Sequence, residues 1–112
     1  MNQVKKYSLP CKPACGGQAT GRPVVVSGPQ DLAQVGAGDI LVALETNIAF
    51  VPAMHRAAAI VTEQGGRFCH AAVWARENDK PTVLQATDAT QLLLGVMLVC
   101  VDADRGMIEW EG

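Results

Sequence analysis

Aromatic side chains are scarce, with two Phe, two Trp and one Tyr in 112 residues. Any core must therefore be built from Val, Ala, Leu and Ile. Charge is thin as well: Asp, Glu, Lys and Arg make up 18% of the chain against 49% hydrophobic residues. That balance excludes a disordered chain and provides for one packed domain. The formal net charge is −2, and no basic cluster appears, which argues against a nucleic-acid binder. No apolar run approaches the roughly 20 residues of a membrane span. The first residues, Met1 to Lys6, are polar and lead into no signal-peptide core, so the chain reads as cytoplasmic. No internal repeat, low-complexity tract or linker divides it.

Four cysteines are too few and too scattered for a disulfide framework in a chain this rich in aliphatic residues. Cys11 and Cys15 are loosely spaced for a metal pair, and no second pair follows. A metal-binding module using Cys11, Cys15, Cys69 and His70 is a minor alternative, and no bound metal is expected.

Residues 1–13 carry three lysines, two prolines and little periodicity, and read as a lead-in arm to a domain over 14–112. Gly16 to Gly21 looks turn-rich. Short strands are expected at Arg22–Val26, Asp39–Leu44, Ala58–Thr62, Pro81–Leu84 and Val96–Val101, with a closing strand at Met107–Trp110. Helical segments fall between them near Gln30–Val35, Ala49–Ala57 and Asp88–Leu93, and the main helix runs from about His70 to Glu77. Buried-type strands in the middle and a hairpin at the end give an α/β class with short mixed strands.

The stretch Glu63 to Glu77 concentrates the candidate chemistry. Gly65 and Gly66 form a turn, with Gly66 expected to bring the chain round, and His70 stands at the start of the main helix. Unpaired N–H groups and the positive end of the dipole at a helix start attract anions. By itself, a histidine in such a place is more often structural than functional.

The continuous pattern Gly65-Gly66-Arg67-x-Cys69-His70-Ala71-Ala72-x-x-Ala75-Arg76-Glu77-x-x-x-Pro81-x-Val83 strongly resembles the phosphohistidine signature of the PEP-utilising enzymes, a family that includes phosphoenolpyruvate synthase and pyruvate, phosphate dikinase. The resemblance extends to Gly17-x-Ala19-x-Gly21, to Asp39–Val42, to Ala58–Glu63 and to Gly106-x-Ile108, and so covers about residues 14–112. It implies a swivelling β/β/α domain in which His70 carries a phosphoryl group. Partners would be an ATP-grasp-type catalytic domain or protein and a PEP- or pyruvate-type one. ATP and Mg²⁺ would belong to a partner, with no cofactor bound by this chain. Gly65 and Gly66 would allow close backbone approach to phosphate, with Arg67 and Thr46 as further phosphate-binding candidates. The chain carries nothing like an ATP-grasp domain or a TIM barrel, so it is not expected to complete a reaction alone. Two positions depart from the family: Phe68 stands where many members have Thr, and Gln85 where Gly is usual. A binding or regulatory module that keeps the fold is the alternative reading.

Overall fold

The computed structural model describes residues 4–112. In chain order the strands are β1 (Lys6–Pro10), β2 (Lys12–Cys15), β3 (Gln18–Gly21), β4 (Pro23–Val26), β5 (Ile40–Ala43), β6 (Ala59–Thr62), β7 (Thr82–Leu84), β8 (Val99–Asp102) and β9 (Met107–Glu111). A 3-10 helix, Pro29–Gln34, links β4 to β5. A second, Ile48–Phe50, runs into α1 (Val51–Arg56), and α2 (His70–Asn78) and α3 (Ala89–Leu92) follow β6 and β7.

The strands form two sheets. One is antiparallel, in the order β1-β9-β8-β3; the other runs β2-β7-β6-β5-β4, with β4 to β7 mutually parallel and β2 antiparallel at the edge. Strands β5 and β6 are buried at every position, as expected when a parallel sheet is covered on both faces. The alternation of side chains divides them between two cores. Ile40, Val42, Ala59, Val61 and Val83 point between the sheets, where they meet Val99, Val101 and Ile108. Leu41, Ala43 and Ile60 point the other way, onto Ala53, Met54 and Ala57 around α1. Leu84 meets Ala71 and Ala72 of α2. Burying each larger aliphatic side chain contributes about 1.5–3 kcal/mol. The small alanines let α2 lie close against its sheet. The result is sheet on sheet with α1 and α2 on one outer face and α3 contributing Ala89 to the core between the sheets, the swivelling β/β/α arrangement.

Residues 6–15 are not an arm ahead of this fold. Strand β1 pairs antiparallel with β9, from Lys6 opposite Glu111 to Pro10 opposite Met107, and β2 pairs with β7. Of the rest of the expected arm, residues 1–3 lie outside the described residues, and Lys5 extends the pairing to Gly112. Gly16–Gly21, expected as a turn, contains β3. The first strand of the closing hairpin starts at Val99 rather than Val96, and Met97 and Leu98 before it are exposed.

Candidate functional site

The carboxyl ends of adjacent parallel strands β5 and β6 release their chains side by side. Backbone bonds from Glu63 N–H to the Ala43 carbonyl and from Gln64 N–H to the Leu44 carbonyl carry the pairing past the strand ends. Two loops, 44–47 and 63–69, are thereby held against each other, at the position where open α/β sheets place ligands. Glu63 is fixed from behind: its carboxylate accepts from the Thr90 N–H at 2.9 Å and from the Thr90 hydroxyl. Those bonds hold the carboxyl below the ordinary glutamate range.

Thr46 comes from the first loop and His70 from the end of the second. Thr46 is buried, and its Oγ1 lies 2.8 Å from His70 Nδ1. The hydroxyl therefore grips one ring nitrogen and leaves Nε2, on the far side of the ring, for a reacting group. Sequence reasoning expected Thr46 to bind phosphate, whereas its observed contact is with the histidine.

Cys69 is the N-cap of α2 but makes no side-chain capping bond. The first turn-to-turn bond runs from Val73 N–H to the Cys69 carbonyl. The N–H groups of His70, Ala71 and Ala72 thus have no acceptor within the helix. The helix start offers donors and a positive dipole end beside the imidazole.

The turn before the helix depends on one glycine. Gly65 has φ of 114°, a region closed to most side chains, and a Cβ there would stand 2.7 Å from Cys69 Sγ. Gly66, expected to make the sharp turn, has ordinary φ and open space around it. The two glycines also face different ways. Gly65 joins Glu45, Thr46, Cys69 and His70 around a small pocket of about 60 Å³. Gly66 and Arg67 line a separate groove with Lys12, Arg76 and Gln85. Of the predicted residues, the fold thus gathers His70, Thr46 and Gly65, and sets Gly66 and Arg67 on the other side of the turn. The Arg67 guanidinium carbon lies 5.6 Å from the centroid of the exposed Phe68 ring.

Gln85 adds a brace. Its φ is 57°, the left-handed conformation in which glycine is free of strain, and its side-chain amide donates to the Gly65 carbonyl at 3.1 Å. The sequence marks this position only as a departure from the family; nothing local in it reveals the cross-link. Trp74 is half-buried, with its ring edge-on to His55 at 5.0 Å between centroids, so both serve packing. No group of three or more His, Cys, Asp or Glu side chains able to hold a metal ion occurs among the described residues.

The description "PEP-utilising enzyme, mobile domain" matches residues 35–106. The chain belongs to that family. It is 46% identical over 95 residues to the phosphoenolpyruvate synthase of Pyrococcus furiosus, which covers 85% of this chain and 12% of that protein. The chain spans about an eighth of the length of the curated relatives it matches. Among solved structures, the N-terminal domain of Enzyme 1 - Nitrogen shares 30% identity with a TM-score of 0.52, over 62% of this chain and 30% of that one. The aconitase X of Thermococcus kodakaraensis superimposes with a TM-score of 0.69 at 23% identity, covering 93% of this chain and 98% of that one, a likeness of fold alone.

Proposed function

We propose that this mobile domain carries a phosphoryl group on His70 between an ATP-dependent catalytic partner and an acceptor partner of the PEP or pyruvate type. The observation that carries the reading is the Thr46–His70 contact at the open end of the sheet. With the proton on Nδ1 donated to Thr46 Oγ1, Nε2 keeps its lone pair. That lone pair attacks phosphorus in line, a P–N bond forms, and the donor's P–O bond breaks with its electrons leaving on the donor oxygen. In the second transfer an acceptor oxygen attacks the same phosphorus, and the P–N electrons return to Nε2. The N–H groups at the start of α2 favour the charge on the phosphoryl oxygens. ATP and Mg²⁺ would be held by the donor partner.

The test is incubation of the chain with ATP, Mg²⁺ and the ATP-dependent partner encoded with it, followed by detection of acid-labile phosphate. Label on the wild-type chain and none on His70→Ala is the expected result. Acid-labile label that persists in His70→Ala would overturn the assignment. Failure to label the wild-type chain, with partner binding unaffected by His70→Ala, would favour the alternative of a docking module that retains the fold.

A further inference from the structure

The chain has nine Lys and Arg residues, and the fold engages four of them internally. Arg22 pairs with Asp39, and Arg105 pairs with Asp102 and Glu109. Arg56 donates to the carbonyls of Val35 and Leu32, and Lys80 to those of His55 and Ala57. Of the five others, Lys12, Arg67 and Arg76 line one groove of about 330 Å³, and no carboxylate lines it. None of the three makes an ion pair or side-chain hydrogen bond among the described residues. This concentration of positive charge, on a molecule of net charge −2, lies behind the turn whose other face meets His70.

We propose that this groove docks an acidic surface of the protein that phosphorylates His70, and that phosphorylation itself weakens the docking. The inference rests on the carrier reading of His70. A small-anion site would require buried, pre-oriented donors, but Lys12, Arg67 and Arg76 are all exposed. Long, solvated side chains of one sign instead suit recognition of a protein rim, where complementary charge speeds encounter and sets orientation. A phosphoryl group on His70 adds about −1.5 to −2 charge across the turn. That charge repels an acidic partner, so the loaded domain is released from its donor and the unloaded one is favoured for return.

The probe is a glutamate-rich peptide titrated into the uniformly ¹⁵N-labelled chain, with inorganic phosphate and ATP as separate arms. The peptide should move the amide signals of Gly66, Arg67, Arg76 and Gln85. Raising NaCl from about 50 to about 300 mM should weaken binding several-fold. Lys12→Glu/Arg76→Glu should weaken it at least about tenfold, with Lys12→Gln/Arg76→Gln intermediate and both variants retaining the wild-type spectrum elsewhere. Phosphorylating His70 chemically with phosphoramidate, which needs no partner, should weaken peptide binding about three- to tenfold. Tighter binding of phosphate or ATP than of peptide would make the groove a small-anion site and overturn the proposal, as would peptide shifts scattered over the surface or unchanged affinity after phosphorylation. If phosphoramidate leaves His70 unmodified, the carrier reading and the release step fall, while the unmodified chain still decides whether the groove binds acidic peptide.

Discussion

Thr46 and His70 form the smallest unit on which the proposed chemistry depends. Replacing Thr46 with Val removes the partner of Nδ1, lets the ring turn and lets the proton redistribute between the nitrogens. A hydrogen bond of this kind is worth about 1 kcal/mol net, so the rate of His70 phosphorylation by phosphoramidate should fall about fivefold or more. Thr46→Ser should restore most of it, which distinguishes the hydroxyl from the methyl. Gln85 makes a second test at this scale. Gln85→Gly relieves the left-handed backbone but loses the bond to Gly65, so urea unfolding should change by less than about 1 kcal/mol. Gln85→Val keeps the strain, adds β-branching and loses the bond, and should destabilise by roughly 1–3 kcal/mol. The position of His70 at the start of α2 was legible in the sequence because the signature is contiguous, whereas the turn assigned to Gly66 is made by Gly65. The Thr46 contact was legible only as a polar loop after a buried strand, since 24 residues separate it from His70.

Among the elements, α2 is set by its alanines. Ala72 and Ala75 are fully buried against the sheet, so Ala72→Leu should force the helix outward and lower stability by about 1–3 kcal/mol in chemical denaturation. Because His70 opens this helix, the same change should disturb the ring's approach to Thr46, visible as a shift of the His70 ring signals. The central strands β5, β6 and β7 were readable because their runs are apolar on both faces. Strands β1, β2 and β3 were not, and all three are sheet edges. Edge strands tolerate Pro10, Pro13 and exposed lysines. Their pairing comes from residues 82–84, 99–102 and 107–111, far away in sequence, where no local pattern announces it.

For the whole molecule, titration gives a bounded stability profile. Asp39 beside Arg22, Glu63 bonded to Thr90 and Asp102 beside Arg105 all have carboxyls held below their ordinary ranges. Each therefore binds protons more readily when unfolded, and the stability it contributes, present above the ordinary carboxylate range, is lost as pH falls through and below about 4. Cys11 acts at the other end. Burial pushes its thiol up to about 11 from an ordinary 9.0, so the unfolded chain ionises first and stability falls between those two values. Thermal unfolding should show a broad plateau from about pH 5 to 9, and Cys11→Ala should flatten the decline above pH 9. A decline above pH 9 that is unchanged in Cys11→Ala would place its origin elsewhere.

The pairing of β1 with β9 has a mechanical consequence. Lys5 and Gly112 exchange backbone hydrogen bonds in both directions, at 3.3 and 2.9 Å. Polypeptide continuing from either end would leave the domain at one place, as two strands abreast. Torque applied there would be taken up outside the sheets, and the domain would turn as a rigid arm on a single pivot. The bond between Thr46 and His70 would then keep its length while the histidine travels.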